Sequence, residues 1–321
     1  MKTPGHHPFL SILPEWDCGR GRTMTFHEML RGKLGNGATG PEPLAALPYA
    51  EELALKREIM TAFWQENKPG GELLPVTAAP LPRGYRATSK RRVSWLGPAR
   101  VHLGYEAGKK AGVSAASPLE PALHGTVYRY CHQALSKTGD QSLARALNWI
   151  VLRGGEAGRI LILVVDHLDA GVVRQAKRLA EGLPALGVAA AMLYVDPSRS
   201  DYYLEAERPE TGLAVKHLTG PRLLTLAFAD ADAQVWLKYP PTVFSQINEA
   251  MVPVLVATAR TLLEPRSSDR LLDLYCGYGL FSFTLGRECR SVTGVELAGE
   301  AIEAARETAR RQGREKSCRF T

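Results

Sequence analysis

The stretch Arg270-Leu-Leu-Asp-Leu-Tyr-Cys-Gly-Tyr-Gly-Leu-Phe-Ser282 constrains the fold more tightly than any other part of the chain. An apolar run from Leu271 to Tyr275 carries one acid, Asp273, and stops at the pair Gly277-x-Gly279. An apolar helical pattern follows from Phe281, and a second apolar run with Val292 and Val295 ends in another acid, Glu296. Strand, glycine turn, helix, strand and acid, in that order, open a nucleotide-binding α/β sheet. Glycines let a backbone approach a ligand where a Cβ would clash. A carboxylate at the tip of the second strand can accept both hydroxyls of a ribose, at about 1.5–3 kcal/mol per charge-assisted hydrogen bond. An ordinary strand–helix–strand unit with turn glycines shares this outline.

Two cofactors fit it. A dinucleotide site asks for a third glycine, which packs helix on strand while the pyrophosphate sits on the helix N-terminus. Ser282 stands at that position. An acid inside the first strand, Asp273, suits a cofactor with a cationic end and no phosphate. The residues therefore favour S-adenosylmethionine, with Asp273, Gly277, Gly279 and Glu296 as its contacts, and leave NAD as the alternative.

The chain has 321 residues, 45% of them hydrophobic, enough for two domains with real cores. Its longest clean apolar run, Ile160 to Val165, is far too short to span a bilayer. The opening Met1-Lys-Thr-Pro-Gly-His-His-Pro carries no signal-peptide apolar region, and five cysteines without paired spacing suit a reducing compartment. A cytoplasmic protein with no membrane contact and no obligate protein partner is expected. His6-His7 reads as a tail, and His124 with Cys131 and His132 as a helix face, so no metal site is expected.

The net charge of +7 is unevenly placed. Between Arg83 and Lys110 eight basic residues (Arg83, Arg86, Lys90, Arg91, Arg92, Arg100, Lys109, Lys110) face one acid, Glu106. Charge concentrated in this way favours a polyanion through counterion release, and nucleic acid is the expected partner. Tyr85, Trp95 and Tyr105 lie among these cations, where they suit stacking on unpaired bases or, equally, a sheet core.

Residues 1–48 are rich in Gly and Pro and read as a poorly ordered lead-in. Tyr49 to Asn67 has helical periodicity and ends at Lys68-Pro-Gly-Gly. Arg91–Trp95 and Arg100–Tyr105 alternate as a hairpin around Gly97-Pro98. Helices follow over His124–Lys137 and Val172–Leu183. Strands are expected over Leu147–Leu152, Arg159–Val165, Val188–Val195, Leu223–Phe228 and Gln234–Lys238. The fold class is α/β: an α+β central domain over 49–238 that carries the expected nucleic-acid-binding segment, then the first part of a Rossmann-like, cofactor-binding sheet over 239–321.

Pro-x-x-Phe-Ser-Gln-Ile-Asn, Pro241 to Asn248, paired with Leu272 to Ser282, resembles the RNA uridine carbon-5 methyltransferases. Tyr49-x-x-x-Leu-x-x-Lys56, Gly84-Tyr-Arg-x-x-x-Lys90, Leu103-Gly-Tyr105 and Val151-Leu-Arg-Gly154 extend the likeness upstream. The resemblance implies an S-adenosylmethionine-dependent enzyme forming 5-methyluridine in ribosomal or transfer RNA. It implies that Gln246 contacts the methyl donor, that Tyr275 packs near it, and that Glu296 binds its ribose. Leu280 stands where some members have asparagine. Many members also carry an N-terminal oligonucleotide-binding barrel and a four-cysteine iron–sulfur motif. Here only Cys18 lies in that region, so no cluster is expected. In the family a cysteine thiolate attacks carbon 6 of the uracil, and a base later removes the carbon-5 proton. Those residues lie on later strands, whereas this sequence stops at Thr321 in what reads as the third. Cys276, Cys289 and Cys318 read as structural, so no catalytic residue is assigned and the expectation is a C-terminally truncated chain. A non-catalytic RNA-binding module with a vestigial cofactor half-site is the competing reading, with an NAD-dependent oxidoreductase behind it.

Overall fold

The computed structural model describes residues 24–34, 42–200 and 215–321. The chain divides into two compact units, residues 1–78 and 79–321. The first unit pairs helix α1 (Phe26–Leu34) with helix α2 (Tyr49–Asn67). Thr25 and Glu28 form a capping box: the Thr25 N–H donates to the Glu28 carboxylate at 2.8 Å and the Glu28 N–H to the Thr25 hydroxyl at 3.2 Å. Within the lead-in expected before residue 49, Phe26–Leu34 forms a helix, because this cap supplies a helix start that the glycine content obscures. Positions 1–23 and 35–41 of that lead-in lie outside the described residues. Helix α2 ends at Lys68, whose left-handed backbone (φ 45°) precedes Pro69.

The second unit is built on a mixed seven-stranded sheet. Its strands are β1 (Thr88–Trp95), β2 (Val101–Gly104), β3 (Gly112–Val113), β4 (Leu147–Arg153), β5 (Ile160–Val165), β6 (Ala190–Val195) and β7 (Val215–Thr219), in the order β3-β2-β1-β4-β5-β6-β7. β4, β5 and β6 are buried at every position, as their unbroken apolar runs require of strands covered on both faces. Helices α3 (Ala122–Leu135), α4 (Ser142–Ala146) and α5 (Ala170–Glu181) cover one face, packing on Ile150, Leu152, Leu161, Leu163 and Leu193.

The other face, with Trp149, Val151, Ile160, Ile162 and Met192, shares one continuous core with the C-terminal third of the chain. That third begins with the antiparallel hairpin β8 (Leu224–Asp230) and β9 (Ala233–Tyr239), followed by helix α6 (Val252–Leu263). A parallel sheet then runs β10 (Arg270–Leu274), β11 (Ser291–Val295) and β12 (Cys318–Phe320), with helices α7 (Leu280–Thr284) and α8 (Gly299–Arg311) between its strands. The boundary expected at 238/239 thus crosses a shared core rather than a contact-poor linker. On β10, Leu272 and Leu274 remain 59% and 58% exposed, an uncovered apolar strip at the edge of the sheet.

Asp230, at the tip of β8, ties the hairpin down. Its carboxylate is almost fully buried and takes two bonds from Arg260 of α6, at 2.8 and 2.9 Å, and one from Arg287 at 2.6 Å. Arg260 also reaches Glu288 at 2.7 Å. Asp230→Asn removes the charge while keeping the shape, and a cost of about 1.5–3 kcal/mol is expected, the range for hydrogen bonds to charged groups. Urea unfolding of the 321-residue chain and of the variant checks this, and an unchanged midpoint would refute it.

Candidate cofactor and RNA site

The glycine turn after β10 carries three residues in the left-handed region: Tyr275 (φ 58°), Gly277 (φ 55°) and Gly279 (φ 94°). For glycine this conformation is cheap; for a tyrosine it costs of order 1–3 kcal/mol and is held by its surroundings, a pattern common at functional sites. Tyr275 is 90% exposed at the rim of the turn. A Cβ at Gly277 would meet open space, whereas one at Gly279 would strike the Phe283 ring.

Ser282 explains the missing third glycine. Its N–H and its hydroxyl both donate to the Asp273 carboxylate, at 3.0 and 2.6 Å. Burial pushes the Asp273 carboxyl up from its ordinary range and these two bonds pull it down. One of its oxygens therefore fastens the first strand to α7. Glu296, just past β11, accepts from the Gly277 N–H through one oxygen and from the Ala298 N–H through the other, both at 3.0 Å. The acid clamps the glycine turn, and each oxygen keeps a lone pair that a ribose hydroxyl can use. Asp273 and Glu296 thus brace the turn that holds Gly277 and Gly279 through separate hydrogen bonds, with Tyr275 at its edge.

Gln246 lies on a separate strap, residues 240–249, running from β9 to α6. Arg153, the last residue of β4, is buried and donates to the Pro241 carbonyl, to the Val243 carbonyl at 2.9 Å and to the Ser245 hydroxyl at 2.9 Å. The Ala87 N–H donates to the Ile247 carbonyl at 2.8 Å, and Asn248 bridges Arg86. At the start of the strap Tyr239 stacks on Tyr278 of the glycine turn, ring centroids 4.4 Å apart. The strap is therefore sewn to the central sheet on one side and to the cofactor turn on the other. Arg153, Tyr239 and Tyr278 were not picked out as site residues from the sequence; their signal was the Arg of Val151-Leu-Arg-Gly154 and the aromatics flanking each motif.

The basic segment separates by face. Arg91 is fully buried, paired with Glu120 at 2.7 and 2.9 Å, and lies against the rings of Tyr105 and Tyr128. It is removed from any RNA surface, because strand alternation turns every second side chain of β1 toward α3. Lys90 and Arg92 face the opposite way and both lie over the Trp149 ring, at 4.5 and 5.1 Å. Trp149 belongs to the core shared with the glycine turn, so these two cations sit on the face of the sheet that packs toward that turn. Arg100, Lys109 and Lys110 are exposed.

Among the described cysteines, burial pushes the thiols of Cys131 and Cys276 up to about 12, and that of Cys289 is raised as well. None of these three is a thiolate at neutral pH. No cluster of metal-ligating side chains occurs among the described residues, and none of their helices is long and apolar enough to cross a membrane.

Residues 224–313 match the family model of tRNA (uracil-5-)-methyltransferase. A 23S rRNA (uracil(1939)-C(5))-methyltransferase of Bordetella avium is 27% identical over 289 residues, covering 88% of this chain and 56% of the relative. The corresponding protein of Pectobacterium atrosepticum is 34% identical over 171 residues, covering 53% of this chain and 33% of the relative. The chain thus spans from about a third to about half of these relatives. The crystal structure of Pyrococcus abyssi tRNA (uracil-54, C5)-methyltransferase with S-adenosyl-L-homocysteine aligns with a TM-score of 0.61 at 18% identity, over 90% of this chain and 65% of that one. It shares the fold. In motif, in the family model over residues 224–313 and in fold, the chain is similar to the RNA uracil carbon-5 methyltransferases.

Proposed function

We propose that this chain binds S-adenosylmethionine and RNA as part of an enzyme that methylates carbon 5 of uracil in ribosomal or transfer RNA. The observation that carries the reading is the glycine turn with two left-handed glycines, clamped by Glu296 and backed by the Asp273–Ser282 pair. This donor set fits an adenosine with a cationic end and offers no third glycine for a pyrophosphate. The S-adenosyl-L-homocysteine in the aligned structure supports the same cofactor.

When bound, S-adenosylmethionine supplies an electrophilic methyl group. In this reading Glu296 accepts the ribose hydroxyls while still holding the Gly277 N–H, Tyr275 covers the cofactor from the rim, and Asp273 keeps the turn in shape. Gln246, presented by the strap, contacts the donor end, and Lys90 and Arg92 guide the RNA backbone along the same side of the sheet. The protonated thiols of Cys131, Cys276 and Cys289 are unsuited to activate carbon 5.

Calorimetry with S-adenosylmethionine and with NAD tests the cofactor assignment; tight binding of NAD alone would overturn it. Glu296→Ala is expected to weaken S-adenosylmethionine by about 1.5–3 kcal/mol, the range for a hydrogen bond to a charged group. An unchanged Kd would reduce Glu296 to a turn clamp. In RNA binding, Lys90→Ala or Arg92→Ala should flatten the salt dependence by about 0.7 log units per lost single-strand phosphate contact. Arg91→Met should leave that slope unchanged and instead destabilise the fold by about 3–5 kcal/mol, because it strands Glu120 without a counter-charge. A slope that changes with Arg91 and not with Lys90 or Arg92 would move the RNA to the helical face of the sheet.

A further inference from the structure

Among the described residues seven buried side-chain nitrogen or oxygen atoms lack a hydrogen-bond partner. Four of them belong to Arg153, Arg159, Asn248 and Glu249, residues of the β4–β5 turn region and of the strap that follows Gln246. Unsatisfied buried polar atoms are costly and are rarely concentrated without a reason. The Glu249 carboxylate presses on the turn backbone, one oxygen lying against Gly155. A Cβ at residue 155 would overlap that carboxylate, so the contact depends on glycine there. The other oxygen of Glu249 is buried and has no partner.

We propose that Glu249 is a positioning residue for the donor-facing strap: its neutral carboxyl, seated on Gly155, holds Gln246–Asn248 in place, and its ionisation loosens the strap. The inference rests on the cofactor reading only for the role of Gln246. A carboxylate with an unsatisfied buried oxygen favours leaving the pocket, whereas the neutral acid does not. The groups around it are Arg159 and Glu156 from the β4–β5 turn, Arg153 from β4, Tyr239 from β9 and Tyr278 from the glycine turn. Arg159 favours the ionised form and Glu156 opposes it, while Arg153 is engaged with the strap carbonyls and burial keeps both tyrosines neutral. Burial outweighs Arg159 and pushes the Glu249 carboxyl up to about 7 from an ordinary 4.5. Because the seated state has the higher value, its extra stability is complete below the ordinary carboxyl range and is lost as pH rises through about 7.

Hydrogen exchange of the Ala87 amide, which donates to Ile247, reads strap opening directly when corrected for intrinsic exchange. In the 321-residue chain the open population is expected to rise by up to about tenfold per pH unit between the two carboxyl values and to level off above them. Glu249→Gln, permanently neutral and nearly isosteric, should abolish the slope. Gly155→Ala, which displaces the carboxylate into solvent, should abolish it too while leaving the strap more open at every pH. A flat wild-type profile would overturn the proposal. So would a wild-type slope retained in Glu249→Gln or, should that variant not fold, in Gly155→Ala. Calorimetry on the same wild-type samples separates the two readings. Absence of S-adenosylmethionine binding with the slope intact sinks only the cofactor assignment, and binding with a flat slope sinks only the role of Glu249.

Discussion

The buried guanidinium of Arg153 is the interaction on which the rest of the arrangement depends. It ends a fully buried strand of the central sheet and donates to two carbonyls and one hydroxyl of the strap between β9 and α6. A strap without regular secondary structure has backbone groups that must find partners. A planar, permanently charged group with five donors can satisfy several of them from one point. Through that point the strap is fixed to the sheet that carries Lys90 and Arg92. Tyr239 stacked on Tyr278 seals the same joint from the apolar side.

Within the turn, the chain meets two demands with few residues. The backbone must curl tightly enough to leave room for a ligand, which Gly277 and Gly279 allow, and it must not collapse into that room. Two acids prevent collapse from opposite sides: Asp273 holds the N-terminus of α7 through Ser282, and Glu296 holds the Gly277 N–H. The assignment of Asp273 and Glu296 as cofactor contacts therefore gains a second meaning, since both are spent partly on shaping the turn before any ligand arrives.

Much of this architecture was legible in the residues. Period-two alternation located the hairpin of β1 and β2, and the apolar runs over Leu147–Leu152 and Arg159–Val165 predicted two adjacent buried strands, as found. The helix over Tyr49–Asn67 has the same limits in sequence and in structure. What escaped were short elements whose stability is borrowed from neighbours. β7 carries little apolar signal and pairs only along the edge of β6, and α4 is a single turn. α1 hides behind glycines on its far side, and only the reciprocal Thr25–Glu28 cap marks its start.

The sequence by itself determined the order of strand, glycine turn, helix and acid, because those demands are local: φ at the glycines, the alternation of a strand, the spacing of two motifs. Only the tertiary structure decided which charges face the site. Arg91 and Arg92 are neighbours with the same chemistry. One is sealed against Glu120 beneath α3 and the other lies over Trp149 on the face that packs toward the glycine turn. A strand turns alternate side chains to opposite faces, but which face becomes core and which becomes surface depends on what packs there. The same holds for Glu249, an ordinary acid in the sequence whose carboxyl can pack against the β4–β5 turn because Gly155, far away along the chain, leaves room for it.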